Sequence, residues 1–126
     1  MLNDIINLII ASGLATKKDK DIFKDYVPKN ADNCIIVYEY GGSGMAPFTD
    51  TSVRSIQIVV KSKESKFATE KINSIFKLFH SSESQFLTIG ERACIIQCRN
   101  TPIKIGVDEQ GKKMYAFNLG ITATID

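Results

Sequence analysis

The sequence predicts an α+β fold: a mainly antiparallel, twisted β-sheet with two amphipathic α-helices packed on one face. Three observations lead there. Two segments carry apolar residues at helical spacing, Leu2–Ile10 and Ala68–Phe79. Several others alternate with period two, most clearly 53–61 and 113–125. The strand-like segments come in runs rather than one by one between helices, which favours antiparallel pairing over a parallel α/β sheet.

The elements follow in order. Leu2, Ile5, Ile6, Ile9 and Ile10 share one face of a first helix over about 2–12, and Gly13 stands just beyond as a stop. Residues 16–29 mix signs (Lys17, Lys18, Asp19, Lys20, Asp21, Lys24, Asp25) around Ile22, Phe23, Tyr26 and Val27. This reads as a short edge strand in a charged connection, ended by Pro28. Cys34-Ile35-Ile36-Val37-Tyr38 reads as a central strand running into Gly41-Gly42-Ser43-Gly44. A long loop is expected over 41–50, longer than a hairpin needs, holding exposed Met45, Pro47 and Phe48.

Ile56, Ile58 and Val60 then alternate with Ser55, Gln57 and Lys61 in a half-buried strand. The second helix spans about 65–80, capped by Ser62 or Ser65 and closed by the solvated His80. Phe86–Ile89, Ala93–Arg99 and Ile103–Val107 are short strands, and Asp108-Glu109-Gln110-Gly111 is a hairpin turn in which Gly111 supplies the positive φ. The last strand sets Tyr115, Phe117, Leu119 and Ile121 on one face and Met114, Asn118, Gly120 and Thr122 on the other. Two greasy helices cover one side of this sheet. The other, with Gln57, Asn118, Thr122 and Thr124, is polar enough for water or a partner.

Composition sets the class. At 126 residues, the chain is expected to form a single domain, 1–126. It is 44% hydrophobic and 24% charged, close to globular averages. Sixteen Lys+Arg against 14 Asp+Glu leave a net charge of +2, too balanced for the basic footprint of a nucleic-acid binder. No signal peptide is expected, because Asp4 rather than a basic residue precedes the apolar run, and no stretch approaches the ~20 apolar residues of a membrane span. Three cysteines (Cys34, Cys94, Cys98) argue against a disulfide framework. Cys94 and Cys98 on one strand lie roughly 13 Å apart, too far to share a zinc ion.

Catalytic patterns fail in turn. Gly41-Gly42-Ser43-Gly44-Met45 lacks the second glycine and the following helix of a nucleophile elbow. It also lacks the Lys-Ser/Thr ending of a phosphate loop. His80, the only histidine, sits at a helix end and not beside a nucleophile. Asp108 and Glu109 are explained by turn chemistry. No enzymatic activity, metal or cofactor is expected.

The succession of residues nevertheless has a likeness. It runs from an apolar helix through Tyr26-Val27-Pro28-x-x-x-Asp32-Asn33-Cys34-Ile35, a tyrosine strand into Gly41-Gly42, and a strand with Gln57 ending in Lys61. The Ala68-Ile72-Ile75-Phe76-Leu78 helix follows. The chain closes with Pro102-Ile103-x-x-Gly106-x-Asp108-Glu109-x-Gly111-Lys112-x-x-Tyr115-x-x-Asn118. This resembles the minor capsid and tail-terminator proteins of tailed bacteriophages and prophages.

The resemblance implies a structural virion assembly protein with no cofactor. Its copies would form a ring, hexameric in that family, on the head-proximal end of the tail tube, stopping tube polymerisation and joining tail to neck. The implied partners are copies of itself, the tail-tube protein and a head-completion or neck protein, without a membrane and with at most passive contact with DNA passing through the ring. The implied location is the virion's tail neck, with the bacterial host cytoplasm during assembly. The candidate interface residues are Met45, Pro47, Phe48, Arg54, Gln57 and Asn118. The alternatives are another head–tail connector or neck component, and a small cytosolic ligand- or nucleic-acid-binding α+β module.

Overall fold

The computed structural model describes residues 2–26, 33–45, 51–80, 86–89 and 92–124. Two helices and seven strands follow in the order α1 (Leu2–Ala11), β1 (Ile22–Lys24), β2 (Asn33–Met45), β3 (Thr51–Ser62), α2 (Ser65–His80), β4 (Phe86–Ile89), β5 (Arg92–Cys98), β6 (Ile103–Val107) and β7 (Lys113–Thr124). The strands form one sheet in the order β1-β2-β3-β7-β5-β4, with β6 also paired to β7. Every pairing is antiparallel except β1 with β2. This is the expected α+β class.

Both helices bury their apolar faces against the same side of the sheet. Ile5, Ile6 and Ile9 of α1 and Ala68, Ile72, Ile75 and Phe79 of α2 join Ile35, Val37, Ile56, Ile58, Val60, Phe117, Leu119 and Ile121 in one core. The strand residues in that set are alternate residues, and the register puts Ile58 opposite Phe117 and Ile35 opposite Val60. Each fully buried isoleucine contributes roughly 1.5–3 kcal/mol relative to exposure. Phe76 packs edge-on against Phe117 with ring centroids 5.4 Å apart, and His80 stacks on Phe76 at 4.8 Å, exposed at the helix end.

The helix ends are tied to their surroundings. Gly13, at φ 84°, turns the chain out of α1 as its N–H reaches Ile10 O at 3.0 Å and that of Leu14 reaches Ile9 O at 3.3 Å. Lys71 of α2 donates to Leu14 O at 2.9 Å, joining the second helix to the exit of the first. At the start of α2 the capping group is Ser62: its Oγ accepts the Glu64 N–H at 3.0 Å and donates to Asn33 Oδ1. Of the two expected caps, Ser62 is the one that binds.

Two expectations need correction. The segment Gly41–Met45 is not loop but the end of β2: beyond an irregularity between Tyr40 and Gly44, Gly44 pairs with Val53 and Met45 with Ser52. Glycines depress strand propensity, yet the paired β3 supplies the ladder that local sequence does not. Residues 46–50 lie outside the described residues. Nor is the sheet's far side uniformly polar. Phe23, Cys34, Ile36, Val59 and Ala116 form a second buried cluster there, with Tyr38 and Met114 against it.

Candidate functional site

The sheet side away from the helices falls into two halves. At one end lies the small apolar cluster, bordered by a charged clamp. Lys61 pairs in register with Cys34 and Met114, and its ammonium meets Asp108 Oδ2 at 2.6 Å. Asp108 Oδ1 accepts the N–H groups of Gln110 and Lys112 at 2.9 and 2.8 Å, and Gly111 turns at φ 81°. The Lys61 hydrogen bond, opposed by burial and helped by the two backbone donors, holds the Asp108 carboxyl below its usual range. Lys112 is 1% exposed, so both lysine stems serve as apolar cover at this end of the sheet. Burial pushes the Cys34 thiol up, with the Lys61 and Lys112 charges opposing. Burial likewise pushes Cys98 up to about 11. Both are free thiols held in their inert form.

At the other end is a polar patch. Gln57 of β3 stands directly opposite Asn118 of β7, with Tyr38 on the other side of Gln57. Asn118 lies where β7 changes neighbours: β5 ends opposite Leu119 and β6 begins opposite Ala116. The gap is filled by the 99–102 corner. Arg99 N–H donates to Asn118 O at 2.8 Å, and Asn100 Oδ1 accepts the Asn118 N–H at 2.9 Å in place of a backbone carbonyl. The Asn118 side-chain oxygen is buried and has no hydrogen-bond partner among the described residues.

Beside it, Arg99 reaches across β7 and donates from Nη1 to Ser55 Oγ at 2.6 Å. Ser55 pairs with Gly120 in the ladder, and the guanidinium lies over that glycine. A Cβ at position 120 would stand 2.7 Å from Nε and 2.9 Å from Nη2.

Of the expected interface residues, the structure thus brings Gln57 and Asn118 together. Met45 and Arg54 are placed in β2 and β3, but their side chains, and the whole of Pro47 and Phe48, lie outside the described residues. Arg99, Asn100 and Ser55 were missed. The one sequence signal for them is Gly120, an isolated glycine inside an alternating strand, which marks a close approach.

This patch lies on the sheet face away from the helices. On the opposite side a cavity of about 40 Å³ is lined by residues including Leu14, Asp21, Cys34, Phe67 and Lys71. That is room for a water molecule or two, whereas small-molecule sites run to about 300–1,000 Å³. Among the described residues no group of three or more metal-ligating side chains comes together, and no helix is long and apolar enough to cross a membrane.

No curated protein matches the chain. Residues 8–125, nearly its full length, match the family described as bacteriophage tail terminator protein. The α+β sheet and the near-complete span of that match agree with the likeness read from the sequence. The chain belongs to the bacteriophage tail terminator family and is a structural component of the phage virion, acting with other tail and head components.

Proposed function

We propose that this chain is the subunit of a ring, six copies round, seated on the head-proximal end of the tail tube. There it stops tube polymerisation and presents the tail to the neck. The observation that carries the reading is the family match over residues 8–125. The polar patch around Gln57, Asn118 and Arg99 supports it, because polar side chains gathered on the sheet face away from the helices suit the polar part of a protein interface. Each subunit is one non-enzymatic domain, built in the host cytoplasm and retained in the virion neck. It contacts the tail-tube protein on one side and a head-completion or neck protein on the other. DNA would pass through the ring without specific contact, and no cofactor is required.

A ring of identical subunits closes through a heterologous contact, one patch of each copy meeting a different patch of the next. Gln57, Asn118, Met45, Pro47, Phe48 and Arg54 are the proposed contributors. Changing both Met45 and Phe48 to Ser is expected to leave the monomer's stability nearly unchanged while weakening assembly.

Electron microscopy of tails from phage lacking the gene tests the assignment. The expected result is tails of uncontrolled length that do not join heads, with an annulus at the tail end restored by complementation. Tails of normal length that merely lack heads would assign the chain to a neighbouring neck component instead.

A further inference from the structure

Alternate residues of β5 stand on the side of the sheet away from the helices. Ile95 pairs with Thr122 and Gln97 with Gly120. Arg99 continues the series one residue past the strand end, its guanidinium over Gly120. Ile96 between them is fully buried in the core, whereas Ile95 is 41% exposed and Gln97 and Arg99 are exposed. The stripe therefore offers an aliphatic side chain, an amide and a cation in turn, over a span of roughly 13 Å.

The cation is built into its place. Arg99 Nη1 donates to the Ser55 hydroxyl, itself only 4% exposed, and a side chain at residue 120 would displace the guanidinium. Holding an arginine still costs side-chain freedom, yet among the described residues no carboxylate pairs with it. Nε and Nη2 have no partner there, and together they form a fork that matches both oxygens of a carboxylate. One exposed arginine beside an amide and an aliphatic side chain has the make-up of a protein contact, not of a nucleic-acid track.

We propose that this stripe receives the next copy of the chain, with a carboxylate of that copy on the Nε/Nη2 fork of Arg99 and an apolar contact on Ile95. The inference rests on the ring reading and supplies its chemistry. In a ring of identical subunits the receiving and arriving patches differ, so the acid comes from another part of the same sequence. Three exposed acids have no ion pair among the described residues: Glu64 just before α2, Glu70 within it, and Glu109 in the turn before β7. Glu64 and Glu70 belong to the helix side of the sheet, opposite the stripe, as a head-to-tail contact requires.

Annulus formation on tails by the full chain tests it. Arg99→Glu is expected to lower annulus yield about tenfold or more, as loss of an interface anchor does, and Ile95→Lys to do the same. Their circular dichroism and urea midpoints should stay with the parent, because both side chains are exposed. Arg99→Gln, which removes the charge without reversing it, gives a second reading of the same loss. Combining Arg99→Glu with Glu64→Arg, Glu70→Arg or Glu109→Arg is expected to restore annuli in one of the three pairs.

Annuli that tolerate Arg99→Glu overturn the proposal, and so does a loss that none of the three pairs repairs. Repair only on reversing an acid of the tail-tube or neck protein gives the stripe to that protein and overturns the second-copy contact. A parent chain that builds no annulus removes the ring and this contact together, whereas a parent that builds one regardless of Arg99→Glu strikes this contact alone.

Discussion

The Arg99 guanidinium lies over Gly120, with Nε 2.7 Å from where a Cβ at residue 120 would stand. The same group donates to Ser55 Oγ at 2.6 Å, so a side chain from the end of β5 is laid across β7 to β3. Gly120 therefore sets where the Arg99 cation of the polar patch sits.

Gly120→Ala should displace that guanidinium at little cost to the fold. The clash is with the far end of an exposed, flexible side chain, and alanine in a strand gains roughly 0.5–1 kcal/mol over glycine. Loss of the Ser55 bond offsets about as much. The urea midpoint is expected to shift by less than about 0.5 kcal/mol in free energy. Annulus formation on tails should fall, as it should for Arg99→Ala; a variant that assembles normally would remove Arg99 from the interface.

Asn100 and Asn118 should respond in opposite directions. Asn100→Ala takes the acceptor from a backbone N–H in mid-sheet, costing about 1–3 kcal/mol. Asn118→Val removes a buried oxygen that has no partner among the described residues, so the isolated chain should be unchanged or up to about 1 kcal/mol more stable. Chemical denaturation of the two variants side by side checks both signs.

Asp108 should give the fold an acid limit. Its carboxyl is held low chiefly by the Lys61 hydrogen bond, so its contribution is complete above the unfolded value of about 3.9 and is lost as pH falls through the lower folded value. Asp21 acts in the same direction. Burial alone would raise it, but hydrogen bonds from Lys17 and Thr16 prevail and lower it. Thermal melting of Asp108→Asn should show lower stability than the parent at neutral pH and a shallower decline on acidification.

Ile72→Ala should cost about 2–5 kcal/mol, because Ile72 is 1% exposed between α2 and the sheet. Phe76→Ala should cost less than a fully buried phenylalanine would, about 2 kcal/mol, since Phe76 is half-buried and contributes mainly its edge contact with Phe117. Urea titration with unchanged slope would confirm that only stability moved.

Both helices and the alternating strands were legible in the sequence because burial is written there as periodicity. Ile56-Ile58-Val60 and Phe117-Leu119-Ile121 point where their spacing says they must. The hairpin at Asp108–Gly111 was legible for the same local reason, since its hydrogen bonds stay within five residues. What depends on distant neighbours was not. The run Gly41–Met45 looks like loop until its ladder with β3 is known. The parallel pairing of three-residue β1 leaves no local mark. Nothing local marks Lys61 and Lys112 as buried, yet both are. At the candidate site, Gln57 and Asn118 could be placed on one face by counting residues, whereas Arg99 could not, because its position depends on the missing side chain of a glycine 21 positions away.

The junction at Asn118 has a structural consequence. β5 and β6 are separate ribbons that border successive stretches of one long neighbour. The 99–102 corner closes the seam between them with two bonds, from the Arg99 N–H to Asn118 O and from the Asn118 N–H to the Asn100 carboxamide oxygen. Both backbone groups of Asn118 are therefore paired at the point that neither ribbon reaches, and the long strand runs unbroken past its change of neighbour.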